Sequence, residues 1–143
     1  MPGDADVVAR FNVELAKESE NLILEPLRVR AGVEALLGDP AKGTYFVAVT
    51  GGEVIGQLLI THEWSDWCNG DYWWVQSVYV RVDCRRRGVF QALFHHVLAL
   101  AKTRGDVASI RLYVEQHNEP ALKAYDHLGL KETHYRVLER LVP

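Results

Sequence analysis

Three arginines and a glycine, at residues 85–88, stand between two contrasting sequence patterns. Residues 72–82 are rich in β-branched and aromatic side chains and predict a strand, whereas apolar residues recur at helical spacing after residue 88. The first turn of a helix has unpaired backbone N–H groups and the positive end of the helix dipole. Arginines add charge there, and glycine lets the backbone approach a ligand closely. The pattern therefore predicts a polyphosphate site, with a solvated basic turn as the alternative.

A second motif, Asn-Glu-Pro-Ala-Leu-Lys-Ala-Tyr at residues 118–125, follows another apolar strand pattern. Asn118 is a favourable N-cap residue, and Pro120 is tolerated in the first turn of a helix. Tyr125 falls on the apolar stripe of this helix, and Gly129 suits its C-terminal end. Helical spacing alone therefore predicts that Tyr125 is a core aromatic residue.

A sheet and several helices must position these two motifs. A Gly-Gly turn at residues 51 and 52, between two apolar runs, predicts a hairpin. The predicted helices cover residues 4–18 and 28–37 and begin after Gly88 and after Asn118; the predicted strands cover residues 44–49, 54–61, 72–82, 107–115 and 131–139. This order predicts an α/β fold with a mixed (α+β) sheet and helices on its faces, in one domain over residues 1–143.

Composition and charge limit the classes of function. A chain of 143 residues with 48% hydrophobic and 24% charged residues suits one globular domain. The net charge of −3 gives no overall preference for nucleic acid, so no nucleic-acid partner is expected. No apolar run is long enough to span a bilayer, so no membrane partner is expected. Cys68 and Cys84, without a signal peptide, predict free thiols and a cytoplasmic location.

Together the two motifs resemble those of the GNAT superfamily of acyl-CoA-dependent N-acetyltransferases. The family's cofactor motif is Arg/Gln-x-x-Gly-x-Gly/Ala at a strand-to-helix turn. It is matched here as Arg85-x-x-Gly88-x-Phe90, in which Phe90 replaces a small residue. The family's Asn-x-x-Ala-x-x-x-Tyr motif is matched at Asn118, Ala121 and Tyr125. The order and spacing of the motifs agree over residues 47–137.

The triplet Asn-Glu-Pro at residues 118–120 is similar to the polyamine (diamine, spermidine/spermine) acetyltransferase type within this superfamily. The family fold implies a central mixed sheet that splays open and is flanked by helices. The first family strand would be missing or short here, because a helical pattern begins close to the start of the sequence. Because a sheet edge would then be exposed, and because homodimers are common among proteins of this type, the resemblance implies a homodimer.

Acetyl-CoA is the cosubstrate that the resemblance implies. Its pantetheine arm would lie in the opening of the sheet and bond to the backbone of Val78, Tyr79 and Val80. Its pyrophosphate would lie at the strand-to-helix turn. The residues expected to complete the cofactor site are Arg85, Arg86, Arg87, Gly88, Val89, Phe90, Gln91, Asn118 and Tyr125. No metal is expected.

Acyl transfer to an amine needs a base for the amine, a donor for the oxyanion and an acid for the thiolate. The resemblance assigns the acid to Tyr125, and the backbone N–H near Val78 is the expected oxyanion donor. In polyamine-type enzymes a glutamate stands where this chain has Gln76, and glutamine cannot titrate. Glu63 is therefore the expected base, and the alternatives are His62, Asp66 and Asp71.

Four tryptophans lie close together at positions 64, 67, 73 and 74. Strand alternation would place Trp73 and Trp74 on opposite faces of the sheet, so that one lies in the core. The other tryptophans, beside acidic residues, would favour a cation, although an aromatic cluster without a ligand explains them equally well. The expected substrate-binding residues are Gln76, Trp64 and Glu63.

The expected reaction is acetyl transfer from acetyl-CoA to the primary amine of a small molecule, either a polyamine or an amino-acid-like compound. Two alternatives remain. One is acetylation of a protein lysine or N-terminus. The other is an acyl-CoA-binding module without catalysis, which is suggested by Gln76, by Phe90 and by the short N-terminal region.

Overall fold

The computed structural model describes residues 4–143, and the chain divides into a first unit that ends at Tyr113 and a second unit, Val114–Pro143. The elements of the first unit are α1 (Ala5–Glu20), α2 (Pro26–Leu37), β1 (Thr44–Thr50), β2 (Glu53–Ser65), β3 (Gly70–Val80), α3 (Val89–Arg104) and β4 (Val107–Leu112). A 3₁₀ turn, Val82–Cys84, follows β3. The second unit contains α4 (Glu119–His127).

The four strands form one mixed sheet in the order β1-β2-β3-β4. The β1–β2 and β2–β3 pairs are antiparallel, and the β3–β4 pair is parallel. The prediction of a mixed α/β sheet flanked by helices is therefore confirmed. The first element of the described chain is α1, so β1 and β4 form the two edges of the sheet.

Helices cover both faces of the sheet in the first unit. On one face, Leu58 and Ile60 of β2 pack with Leu93 and Val97 of α3. On the other face, α1 and α2 form a second buried cluster that includes Val8 and Val33 and packs against Tyr45 and Val47 of β1. Trp73 lies in the first cluster and is 4% exposed, so one member of the Trp73–Trp74 pair is in the core, as strand alternation predicted.

Local sequence explains where the helices begin and end. Both carboxylate oxygens of Glu25 accept backbone N–H groups at the start of α2, where Pro26 needs no acceptor of its own. Helix α3 ends at Gly105, whose φ of 76° is left-handed. Asn118 caps α4 by accepting the N–H of Ala121. These boundaries lie within a few residues of the predicted ones.

One predicted element is wrong. Residues 131–139 were expected to form a last strand or strand pair, but residues 128–143 contain no helix or strand. The reason is physical: a strand pattern becomes a strand only when a neighbouring edge accepts and donates its backbone hydrogen bonds.

Two kinds of feature, a membrane-spanning helix and a cluster of metal ligands, are absent from the described residues. Within residues 4–143, no helix is both long and apolar enough to cross a bilayer. The same residues contain no cluster of three or more His, Cys, Asp or Glu side chains arranged to hold a metal ion.

Candidate active site

The sheet opens between its two parallel strands. The pairing of β3 with β4 runs from Asp71 and Val107 to Val75 and Leu112 and ends there. Strand β3 continues to Val80, five residues farther, and in this part it pairs with β2. The β4 side of residues 76–80 therefore has backbone groups that no strand of the sheet pairs, beside the turn that leads into α3.

A β-bulge lies in this open part of β3. Gln76 pairs with Leu59 and Tyr79 pairs with Gln57, so Ser77 and Val78 together lie opposite one β2 residue. Ser77 adopts the left-handed conformation with φ of 50°, which is unusual for a serine. A bulge redirects the backbone groups beside it. The unusual backbone is therefore located at the segment whose N–H groups were expected to contact an acyl group.

Buried side chains hold the bulge in place. Gln57 is fully buried, and its Nε2 donates to the Ser77 carbonyl oxygen at 3.1 Å and to Asn12 Oδ1 at 2.8 Å. Asn12 Nδ2 in turn donates to the Tyr45 hydroxyl at 3.0 Å. A chain of hydrogen bonds therefore connects β1, helix α1 and β2 to the carbonyl of the bulge. We call Tyr45, Asn12, Gln57 and Ser77 the bulge network.

The turn between β3 and α3 has the geometry of an anion site. Arg86 and Gly88 both have left-handed backbones, with φ of 63° and 76°, and α3 begins at Val89. No side chain caps the start of α3. The N–H groups of its first turn have no acceptor inside the helix, so they can donate to an anion.

Gly56 explains how α3 begins so close to the sheet. A Cβ on Gly56 would lie 2.8 Å from Val89 Cγ1 and 3.4 Å from the Tyr79 carbonyl oxygen. Only glycine therefore permits this approach without a shift of Val89. The start of α3, and with it the anion site, is thus fixed against β2 and β3.

The three arginines of the turn have different surroundings. Arg85 Nη2 donates to Glu18 Oε2 at 2.7 Å, and its Nε donates to the Val80 carbonyl oxygen at 2.8 Å. Arg85 therefore joins the turn to the end of α1. Arg86 and Arg87 are exposed and form no ion pair within residues 4–143. These two arginines are therefore the ones of the triplet whose charge is left unpaired within the described residues.

Phe90, which departs from the family motif, points its side chain toward the core. It packs against the cluster between the sheet and α3, with its ring centroid 6.1 Å from that of Phe94. Because the Phe90 ring packs into the core, this residue can replace the small residue of the family motif without covering the start of α3. The backbone N–H groups of Val89, Phe90 and Gln91 form the first turn of α3.

The predicted pantetheine residues offer backbone rather than side chains. Tyr79 is buried beneath α1, where its ring lies 4.8 Å from that of Phe11 and its hydroxyl donates to Glu18 at 3.4 Å. Burial, and secondarily the charge of Glu18, raises the pKa of Tyr79. Val78 packs against the α3 cluster. Contacts from Val78, Tyr79 and Val80 to a ligand would therefore come from their backbone groups.

A polar and aromatic face lies on the other side of the sheet from α3. Trp74 Nε1 donates to Glu63 Oε1 at 3.0 Å, and Gln76 Nε2 donates to Thr61 Oγ1 at 2.6 Å. The Trp74 ring stacks on that of Tyr113 at 4.6 Å. Glu63 and Gln76 therefore project from the same face of the sheet, Glu63 opposite Tyr72 and Gln76 directly after the point at which β3 and β4 separate. We call this the acceptor face.

Arg111 of β4 adds a positive charge to the acceptor face. Its guanidinium lies 3.8 Å from the centre of the Tyr72 ring and 5.9 Å from that of Trp74. The Tyr72 hydroxyl lies 3.4 Å from Cys68 Sγ, and this hydrogen bond lowers the pKa of the Cys68 thiol. The face therefore carries both an acidic and a basic group, Glu63 and Arg111.

Trp64 is not brought together with the other predicted substrate residues. Alternation along β2 places it on the same face as Ile60 and His62, opposite the face that carries Glu63. Its side chain is 65% exposed. The contacts of the acceptor face come instead from Trp74.

Helix α4 carries the second motif within the second unit. Asn118 caps it, Glu119 and Pro120 form its first turn, and a left-handed Gly129 follows its end. Burial raises the pKa of Tyr125, so its phenol keeps its proton at neutral pH. Tyr125 can therefore act as a proton donor.

Several residues of the site were not singled out from the sequence. The bulge network was missed because its members are far apart in the chain, and only Gln57, a polar residue in an apolar strand pattern, gave a signal. Arg111 was part of a predicted strand, and a charged residue in a strand indicates only that its position is exposed. Trp74 was recognised as an aromatic residue but not as the partner of Glu63.

Comparison with known proteins places these features in a family context. A family model described as "Acetyltransferase (GNAT) family" matches residues 11–130, most of the chain. A possible acetyltransferase from Clostridium difficile 630 has a similar structure, with 39% sequence identity and a TM-score of 0.95. That similarity covers 100% of this chain and 94% of the other. The comparison with curated proteins gave no match.

Two further solved structures share the fold at lower identity. A ribosomal-protein-alanine N-acetyltransferase from Brucella melitensis biovar Abortus 2308 is 19% identical with a TM-score of 0.79, covering 99% of this chain and 95% of the other. An aminoglycoside acetyltransferase from an uncultured soil metagenomic sample is 20% identical with a TM-score of 0.71, covering 100% and 93%.

Proposed function

Because the chain belongs to the GNAT acetyltransferase family, we propose that it transfers the acetyl group of acetyl-CoA to the primary amine of a small molecule. The observation that carries the proposal is the end of β3–β4 pairing at Val75 and Leu112, directly before the bulge and the turn into α3. One edge of β3 and one helix N-terminus are thereby available to the same ligand.

The described residues fit acetyl-CoA. Backbone groups of Val78 and Val80 on the open edge of β3 suit the amides of the pantetheine arm, which can add to a sheet edge as a strand does. The first turn of α3 suits the pyrophosphate, and Arg86 and Arg87 supply positive charge beside it. When bound, acetyl-CoA would supply the activated thioester.

The residues of this chain would then have three chemical tasks. The backbone N–H of Val78, in the bulge, would stabilise the oxyanion. Glu63 would take the proton of the attacking amine through water, because Gln76 cannot titrate and Glu63 lies opposite Tyr72, six residues along β3 from Val78. Tyr125 would protonate the leaving thiolate, a role supported by the Asn-x-x-Ala-x-x-x-Tyr motif; because its pKa is raised, the phenol still carries its proton at neutral pH.

The acceptor face supports an amino-acid-like amine over a polyamine. A polyamine carries several positive charges and would need a largely acidic surface. Here Arg111 lies on the same face as Glu63 and lies over the Tyr72 ring, which a cationic acceptor would otherwise use. We therefore propose an acceptor with one reactive ammonium group, whose remaining part is neutral or acidic.

The test has two stages. Calorimetry with acetyl-CoA and with CoA measures cofactor binding, and a thiol-release assay then compares acceptors. The acceptor panel contains a diamine, spermidine, amino acids, amino-acid amides and a short peptide. We expect cofactor binding and faster thiol release with amino-acid-like amines than with the polyamines. Binding without release on any acceptor would instead support a module without catalysis, and failure to bind acetyl-CoA would refute the proposal.

A further inference from the structure

Tyr113 places an aromatic ring where the sheet opens. It directly follows Leu112, the last β4 residue that pairs with β3. If the same register continued by one step, Tyr113 would lie opposite Gln76, the first β3 residue beyond the pairing. Gln76 and Tyr113 are therefore the first residues of the two diverging segments. Val78, the proposed oxyanion donor, follows Gln76 by two positions on β3.

One face of the Tyr113 ring is covered, and the rest of the ring is accessible. The ring stacks on that of Trp74, with centroids 4.6 Å apart and planes 17° apart. Tyr113 is nevertheless 60% exposed. Because Trp74 covers one face, the exposed area belongs to the opposite face and the edge. A single exposed aromatic residue is ordinary on a protein surface, but this one stands at the opening that the proposed reaction uses.

The stacked pair is held in place by a polar contact. Trp74 is half-buried, and its Nε1 donates to Glu63 Oε1 at 3.0 Å. A ring that is already supported loses little freedom when a ligand binds to it. Aromatic rings prefer to pair with other rings in offset-stacked or edge-to-face arrangements. The exposed face of Tyr113 is therefore suited to the aromatic ring of a ligand.

The surrounding charge favours a neutral ring over a cation at this position. Arg111 also contacts Trp74, with its guanidinium 5.9 Å from the centre of the Trp74 ring. A second cation on the same aromatic pair would be repelled by this positive charge. The group that stacks on Tyr113 should thus be uncharged, and the amine of the acceptor must lie elsewhere.

Gln76 offers a place for that amine. Its Nε2 donates to Thr61 Oγ1 at 2.6 Å, so its Oε1 is the atom left to accept an N–H group. Trp74 and Val78 lie four positions apart on β3, which is roughly 10–13 Å with the bulge between them. An aromatic ring joined through two carbons to an amine, with the amine about 3 Å from the acetyl carbon, covers a distance of this order.

We infer that Tyr113 determines the acceptor specificity, and that the acceptor carries an aromatic ring two carbons from its primary amine. The inference rests on the proposed acetyl transfer and makes its acceptor more specific. Arylalkylamines and aromatic amino acids share this chemistry and differ in the carboxylate. The experiment therefore includes both.

The first measurement compares acceptors that differ only in aromaticity. Thiol release is followed with phenethylamine against cyclohexylethylamine, and with phenylalanine against cyclohexylalanine. In at least one pair, the wild-type kcat/KM should be about three- to tenfold higher for the aromatic member, and that pair identifies the source. Tyr113→Leu should bring the ratio close to one, and the matched control Tyr113→Phe should keep it. Ratios near one in both wild-type pairs, or a ratio that Tyr113→Leu leaves unchanged, would overturn the inference.

The second measurement detects binding without turnover. The indole N–H resonance of Trp74, assigned with Trp74→Phe, is followed by NMR in the CoA-bound protein while each amine is added. A ring stacked on Tyr113 should shift this resonance saturably, whereas the cyclohexyl compounds should shift it far less and Tyr113→Leu should remove the difference. If neither aromatic compound shifts the resonance, or if the cyclohexyl compounds shift it equally, the inference is wrong.

The two measurements separate this inference from the proposed function. Thiol release that is equally fast with aromatic and saturated amines would overturn the role of Tyr113 and leave acetyl transfer in place. A saturable shift of the Trp74 resonance by an aromatic amine, without thiol release from any acceptor, would overturn acetyl transfer and support the aromatic site.

Discussion

The Nε2 atom of Gln57 lies 3.1 Å from the carbonyl oxygen of Ser77 and donates a hydrogen bond to it from a fully buried position. This bond connects the interior of the sheet to Ser77, whose backbone is left-handed. The same nitrogen donates to Asn12 of α1. The shape of the bulge is therefore fixed by side chains of β2 and α1.

The Gln57 bond predicts a positioning role. Gln57→Leu keeps the volume but leaves the Ser77 carbonyl and the Asn12 carboxamide without their donor, so we expect a loss of about 1–3 kcal/mol in unfolding free energy. The bulge should also shift, and kcat should fall by about tenfold or more, because a displaced oxyanion donor loses much of its effect. Chemical denaturation and steady-state kinetics with saturating acetyl-CoA measure the two effects.

Tyr45→Phe is the matched control for this prediction. It removes a hydrogen bond at the far end of the bulge network, at Asn12 Nδ2, and should cost about 1 kcal/mol of stability. It leaves the Gln57–Ser77 bond in place, so kcat should stay within about twofold of the wild type. Equal kcat values for both variants would show that the network serves stability alone.

Arg86 and Arg87 are expected to bind phosphate. The double variant Arg86→Ala/Arg87→Ala should weaken CoA binding by on the order of tenfold or more, since charge-assisted contacts to phosphate are lost. The difference from the wild type should be largest at low salt, where charges are least screened. Calorimetry at two salt concentrations measures this. Lys102→Ala, an exposed cation near the other end of α3, should bind CoA normally, and a double variant that does the same would remove the phosphate role.

Arg85 is expected to act through Glu18 instead. The pair is partly exposed, so a double-mutant cycle of Arg85→Ala and Glu18→Gln should give a coupling of no more than about 1 kcal/mol in unfolding free energy. CoA affinity should change less in Arg85→Ala than in the Arg86/Arg87 double variant. If CoA affinity falls more in Arg85→Ala than in the Arg86/Arg87 double variant, Arg85 contributes to the phosphate site, as the sequence motif suggested.

Tyr125 should act as an acid over the whole working pH range. Burial raises the pKa of its phenol above the ordinary value of 10.0, so the proton is held at neutral pH and lost only in strongly alkaline solution. Tyr125→Phe should therefore lower kcat by on the order of 10²-fold, with little change in CoA affinity and no new pH dependence below about pH 9. A kcat that stays at the wild-type level would leave Tyr125 a packing residue.

Glu63 is expected to act as the base for the attacking amine. Glu63→Gln keeps an oxygen that can accept from Trp74 but removes the base, so kcat/KM should fall by about 10²-fold. The control is Asp66→Asn, an exposed loop carboxylate that was an alternative base. If Asp66→Asn reduces kcat/KM and Glu63→Gln does not, the base has been assigned to the wrong residue.

Local sequence predicted the central part of the fold well. The change from strand to helical spacing on either side of residues 85–88 located β3, the turn and α3, because each element carries its own periodicity. The Gly51-Gly52 turn located the β1–β2 hairpin. Asn118 located the start of α4 through its capping oxygen. These features depend on neighbours in the chain.

Features that depend on distant partners could not be predicted. Ser77 has no sequence signal for a left-handed backbone, because Gln57, twenty positions earlier, holds its carbonyl. From the sequence, Arg85 could not be distinguished from Arg86 and Arg87, because its partner Glu18 lies on helix α1. Residues 131–139 had the pattern of a strand, but the pattern does not show whether the edge of a neighbouring strand is available to pair with them.

Helix α1 contacts the cofactor half of the sheet at two points, through Asn12 to the bulge and through Glu18 to the turn. The acceptor face has no comparable brace in the first unit, where its side chains contact one another across neighbouring strands. Substitutions on that face are therefore expected to change the preferred amine while leaving the proposed nucleotide site in place.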